Sequence, residues 1–159
     1  MLEELERRGL AQNTIVLYTT DHGIVFPFAK CNLTDAGIGT AMLLRYPGNP
    51  SAGKAVDGLT SHLNVFPTLC ALLDLPKPGC LQSVSLMPLL EGRTGEVRRK
   101  VFAEATYHTF YEPARAICTT RYKYIRRYDP CPRYALADID NSLSKNLLLD
   151  NGLEQEASP

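Results

Sequence analysis

This sequence has no surplus of charge: Lys+Arg and Asp+Glu each total 17, for a formal net charge of zero. A general binder of nucleic acid or another polyanion needs a basic excess, so only a local basic patch stays open to that role. No apolar run approaches the length of a transmembrane helix. The opening Met1-Leu-Glu-Glu-Leu-Glu-Arg-Arg8 mixes acid and base and lacks the pattern of a secretory leader. No C-x-x-C pair occurs among Cys31, Cys70, Cys80, Cys118 and Cys131, which argues against a zinc ribbon or a thioredoxin-type motif. Their odd number prevents full pairing within the chain, and most are expected to be small buried hydrophobes. Internal repeats and low-complexity tracts are absent too.

The 159 residues, 45% of them apolar, with eight tyrosines, suffice for a folded protein with a real core. Residues 1–12 have helical character. Glu3 and Glu4 precede Arg7 and Arg8 by four residues, Leu2, Leu5 and Leu10 give an apolar stripe, and Gly9 is a stop. Ile15 to Tyr18 is an unbroken strand-forming run, expected to be buried on both faces of a parallel sheet. Helix then strand is the order of an α/β protein.

Ile24 to Gly39 is expected to be a long irregular loop, a kind often functional. Ala41 to Tyr46 is a second strand closed by Pro47-Gly48, and Ala55 to Thr60 is a candidate short one. A helix follows, with Asn64 as N-cap, Pro67 in its first turn, and Phe66, Leu69, Leu72 and Leu73 as the buried face. Ser85 to Leu90 is a helical turn. Lys100 to Tyr107 predicts a strand, and Ala114 to Thr119 with Tyr122 to Tyr128 a hairpin, its Tyr122, Tyr124 and Tyr128 packing along one sheet face. A short helix fits Leu143 to Leu149. The expected domains are 1–98, α/β, and 99–159, an incomplete antiparallel subdomain.

The stretch Asn13-Thr-Ile-Val-Leu-Tyr-Thr-Thr-Asp-His-Gly23 carries the chemistry. In open α/β sheets, ligands bind just past the carboxyl ends of the strands, where Asp21 and His22 stand. A carboxylate and an imidazole there suit a divalent metal, while the plain alternative is a loop-capping Asp beside a surface His. Lys30, in the next loop, is a point charge for an anionic group, or simply solvated. His62, before a helix, is either a substrate contact or a satisfied polar residue. His108 lies in Tyr107-His-Thr-Phe-Tyr-Glu-Pro113, whose aromatics suit a sugar ring or a structural cluster, and Arg115 is a candidate anion contact from the same region.

These landmarks resemble, in order, the second half of a type I sulfatase of the alkaline-phosphatase-like superfamily. The stretch ending Asp21-His22-Gly23 is similar to the family's N-T-I/V-I/V-x-x-T/S-S/A-D-N/H-G segment. Met42-Leu-Leu-Arg-Tyr-Pro-Gly48 is similar to its strand with a W-P-G or Y-P-G turn. Ser61-His-Leu-Asn-Val-Phe-Pro-Thr-Leu69 resembles its S-x-x-D-x-x-P-T helix start, with Asn64 at the usual Asp. Arg115-Ala-Ile-Cys-Thr-Thr-Arg-Tyr-Lys-Tyr-Ile125 is similar to its hairpin, with Cys118 at the usual Arg. Phe26-Pro-Phe28 and Tyr107 to Pro113 lean toward the heparan N-sulfatase (sulfoglucosamine sulfohydrolase) branch.

The resemblance implies part of an alkaline-phosphatase-like parallel sheet sandwiched by helices, followed by a smaller antiparallel segment. It implies that Asp21 and His22 bind a divalent cation, calcium in most of the family with zinc as the alternative. It further implies that Lys30 contacts sulfate and that the substrate is a sulfated carbohydrate or other sulfated small molecule. Family catalysis uses a formylglycine made from a C/S-x-P/A-x-R motif. None of the five cysteines lies in one, so the nucleophile is expected in an N-terminal part and this chain is expected to be inactive alone. A sheet short of strands is expected to oligomerise through its edges. The alternatives are a fragment of a zinc phosphatase or phosphodiesterase of the same superfamily, or a non-catalytic anion- or sugar-binding protein.

Overall fold

The computed structural model describes residues 1–108, 111–128 and 141–152. Its elements are α1 (Leu2–Arg7), β1 (Val16–Thr19), α2 (Asp35–Ile38), β2 (Met42–Arg45), α3 (Val65–Leu72), α4 (Met87–Leu90), β3 (Val101–Tyr107), β4 (Tyr111–Cys118), β5 (Lys123–Arg127) and α5 (Leu143–Asp150). β1 pairs with β2, and a separate sheet has the order β3-β4-β5. The class is mixed α/β, as expected. Two compact units divide the chain: Met1–Tyr18, Leu43–Val101 and Thr119–Arg121, and Thr19–Met42, Phe102–Cys118 and Tyr122 onward.

In the first unit, α1 is shorter than the twelve residues expected. Arg7 and Arg8 both bind Glu4, at 2.6 and 2.5 Å, and Gly9 then turns the chain with φ of 69° into a 3₁₀ turn at Ala11–Asn13. β1 is not buried on both faces: Val16 and Leu17 are half-buried, and Tyr18 and Thr19 are exposed. A two-stranded sheet has too little surface to be covered on both sides. Ala55 to Thr60 forms no strand.

Asn64 stands at the N-cap position of α3 without a side-chain cap bond, and the capping hydroxyl comes one turn earlier, from Ser61. Its Oγ accepts from Leu63 N–H at 3.4 Å, while Asn64 Oδ1 accepts from Ser61 N–H at 2.9 Å. The helix α3 also buries a different face. Pro67, Thr68 and Cys70 are buried, whereas Phe66 and Leu73 are exposed and Leu69 and Leu72 half-buried. Hydrogen bonds decide this orientation. Thr68 Oγ1 donates to Asn64 O at 2.6 Å and accepts from Leu86 N–H at 2.9 Å. That turns the Asn64–Thr68 side toward the buried Leu86 and Leu89.

In the second unit, β4 and β5 form the expected hairpin, with Ala114 opposite Arg127 and Cys118 opposite Lys123. Its tyrosines are not buried on the sheet face: Tyr122, Tyr124 and Tyr128 are all exposed, with Arg126 over the Tyr128 ring at 4.8 Å. Ser142 Oγ caps α5 by accepting from Lys145 N–H at 3.1 Å. Cys70 is buried, Cys31 and Cys118 are half-buried, and Cys80 is exposed. Cys131 lies outside the described residues. No described helix is long and apolar enough to cross a membrane.

Candidate functional site

β1 runs directly into Thr20, Asp21 and His22, and its end is fixed before the site begins. Thr20 N–H donates to Ala41 O at 3.3 Å, Ala41 N–H donates to Thr20 Oγ1 at 3.0 Å, and Thr19 Oγ1 donates to Ala41 O at 2.8 Å. Asp21 then projects outward, 89% exposed, with His22 34% exposed beside it.

His22 Nδ1 lies 2.7 Å from Gly23 O. A carbonyl only accepts, so the contact is a hydrogen bond when Nδ1 carries the proton, which leaves the Nε2 lone pair open. Nε2 is 3.6 Å from Asp21 Oδ1. Two donors that far apart can share one divalent cation at bond lengths of about 2.0–2.6 Å. A carboxylate with a neutral imidazole is a chemically suitable pair, zinc or manganese favouring the nitrogen more than calcium does. Among the described residues no group of three or more His, Cys, Asp and Glu is placed to hold a metal.

The following loop is a closed structure rather than an irregular excursion, and it includes α2, which the sequence reading missed. Gly23 N–H donates to Gly37 O at 2.8 Å. A Cβ at Gly23 would stand 1.9 Å from Ala36 O, and one at Gly37 would stand 2.1 Å from Asn32 O, so both positions require glycine. Between them the backbone folds through tight turns, with Lys30 N–H donating to Ile24 O at 3.2 Å and Asn32 N–H to Ala29 O at 3.0 Å. Phe28 and Cys31 adopt φ of 66° and 65°, unusual for side chains of that size. Ala29, Asn32 and Leu33 are buried inside, and Lys30 is half-buried on the loop.

Asp35 opens α2 and receives an ion pair from Lys123 Nζ of β5. Neither residue was singled out from the sequence. The available signal was Thr34-Asp35, a helix-start pattern, and the Lys123 that interrupts the tyrosine stripe.

The other candidates fall differently. His108 ends β3 as an exposed residue of the same unit as Asp21 and His22. Arg115 is committed to the sheet: Nη1 donates to Ala105 O at 2.9 Å and to Ala114 O at 2.8 Å, and Nε pairs with Glu104 at 3.2 Å. His62 is exposed at the start of the 3₁₀ turn His62–Asn64, in the first unit.

Residues 21–155 match a family model described as N-sulphoglucosamine sulphohydrolase, C-terminal. The chain is 29% identical over 137 residues to an ulvan-active sulfatase of Formosa agariphila, covering 86% of this chain and 22% of that protein. It is 29% identical over 129 residues to human N-sulphoglucosamine sulphohydrolase, covering 74% of this chain and 25% of that protein. Among solved structures, one in complex with its substrate D-glucosamine-2-N,6-O-disulfate superposes with a TM-score of 0.68 at 21% identity, covering 82% of this chain and 28% of that chain. The fold is that of the alkaline-phosphatase-like sulfatases, and the chain spans about a quarter of the length of these curated relatives.

Proposed function

Because the chain belongs to the N-sulphoglucosamine sulphohydrolase C-terminal family, we propose that it is the C-terminal portion of a sulfatase acting on sulfate esters or N-sulfo groups of carbohydrates. The observation that carries this reading is the family match, which begins at Asp21 itself and continues through the hairpin to residue 155. The relative bound to a glucosamine disulfate supports a sulfated sugar as the substrate class.

In this reading Asp21 and His22 hold a divalent cation, calcium first and zinc as the alternative. His22 binds through Nε2, because Gly23 O keeps the proton on Nδ1. The cation, when bound, supplies positive charge that polarises the sulfate oxygens. Lys30 adds an ammonium for the same anionic group, a charge that stabilises the transition state when the site excludes water. His108, on the same unit, contacts the sugar. The nucleophilic formylglycine is not among these residues: no cysteine or serine of the chain begins a C/S-x-P/A-x-R motif. Alone, the chain therefore does not turn over.

The test is to extend the reading frame upstream of Met1 and assay the product for release of sulfate from N- and O-sulfated glucosamine. The reading expects an upstream C/S-x-P/A-x-R motif and an activity that Asp21→Ala or His22→Ala abolishes. An upstream stop without that motif, or an active extended protein indifferent to both substitutions, would sink it.

A further inference from the structure

The ion pair between Lys123 and Asp35 joins the hairpin to the loop that follows β1, inside one compact unit. The Lys123 side chain is only 14% exposed, whereas that of Asp35 is 91% exposed, so the lysine is held by its surroundings and the aspartate is the movable partner. Asp35 begins α2, a segment of four residues that is too short to hold its place by its own hydrogen bonds. Yet α2 carries Gly37, whose carbonyl accepts the Gly23 N–H at 2.8 Å. Gly23 in turn presents the carbonyl that orients His22 Nδ1, at 2.7 Å. The links are one ion pair, the backbone of α2 and two hydrogen bonds, and the chain of contacts ends at the imidazole beside Asp21.

We propose that Lys123 is a positioning residue for the Asp21–His22 pair, acting through Asp35, α2 and Gly23. The inference rests on the reading of that pair as a cation site, and it adds the device that sets the ligand geometry from the hairpin. Groups that orient a metal ligand from outside the first coordination shell typically change metal affinity by 10–100-fold when removed. With Lys123 gone, α2 loses its tie to β5, and the Gly37 carbonyl no longer fixes Gly23 and the ring of His22.

The experiment measures hydrogen exchange of the Gly23 amide by NMR, and Mn²⁺ affinity by titration, in the chain and in Lys123→Met and Lys123→Arg. Expected are faster exchange at Gly23 and roughly tenfold weaker Mn²⁺ binding in Lys123→Met, both restored in Lys123→Arg. The amides of the β4–β5 ladder should keep their protection, which separates positioning from unfolding of the hairpin. If they do not, Asp35→Asn, at an exposed side chain, replaces Lys123→Met under the same criteria. Unchanged Gly23 exchange overturns the proposal, as does loosened Gly23 with unchanged Mn²⁺ affinity. Absence of Mn²⁺, Ca²⁺ and Zn²⁺ binding in the unsubstituted chain rejects the cation reading instead, and Gly23 exchange alone then decides the positioning.

Discussion

Asn64 donates through its side-chain amide to Ser83 Oγ at 2.9 Å, and from the same nitrogen to Val84 O at 2.7 Å. Its Oδ1 accepts from Ser61 N–H at 2.9 Å, and the residue is 0% exposed. Both amide hydrogens are thus used. Asn64→Asp, which restores the residue usual in the resembled helix start, would set a carboxylate oxygen against the Val84 carbonyl, and neither can donate. Arg98 reaches Ser83 Oγ at 2.8 Å rather than Asn64, so it offsets little of that loss. Urea unfolding should show Asn64→Asp destabilised by about 1–3 kcal/mol.

Tyr46 gives the opposite sign. It is 8% exposed, and its hydroxyl is buried with no hydrogen-bond partner among the described residues. Tyr46→Phe removes an unsatisfied polar atom and should stabilise the chain by about 1 kcal/mol at neutral pH. Burial first, and the negative charge of Glu91 second, push the Tyr46 phenol above its ordinary value of 10.0. The folded state then holds the proton that the unfolded state gives up. Stability from this group is intact below pH 10.0 and declines as pH rises through the folded-state value. Thermal melts at increasing pH should show that alkaline decline weakened in Tyr46→Phe.

Arg115 stands directly opposite Arg126 in the β4–β5 register, a like-charge cross-strand pair that costs stability. Glu104 on β3 pairs with Arg115 at 3.2 Å, and Tyr128 takes Arg126 on its ring face. Glu104→Gln leaves the two arginines less compensated. It should lower the midpoint of denaturant unfolding by an amount worth about 0.2–1 kcal/mol, and added salt should shrink the difference. A salt-independent effect would mean that Glu104 acts through packing.

Exposed Tyr18, Leu43, Phe66, Leu73, Phe102 and Tyr124 leave much apolar surface in water. Light scattering should find the isolated chain associating as concentration rises. Phe66→Asp with Leu73→Lys, on the outer side of α3, should reduce that association while leaving far-UV circular dichroism unchanged. A monodisperse parent chain would refute this expectation.

Where residues act through local pattern, the sequence was legible. The hairpin followed from alternation on both sides of Thr120-Arg121, and β1 followed from the aliphatic run that precedes Asp21-His22-Gly23. The α3 face was misread because leucine periodicity competes there with a buried amide and hydroxyl, Asn64 and Thr68, whose partners lie about twenty residues away. α2 was hidden for a similar reason. Its four residues have no periodicity to detect, and it is held by the distant Lys123 and by carbonyls that approach two glycines.

Those two glycines constrain how the loop can be varied. At Gly23 and Gly37 the atoms that would collide with a side chain belong to backbone, so no repacking of neighbours makes room. A mutational library across 21–39 should therefore return only glycine at 23 and 37. The exposed Ile24, Phe26 and Ala36 should accept broad substitution. Those exposed side chains can change while the backbone path beneath them stays the same.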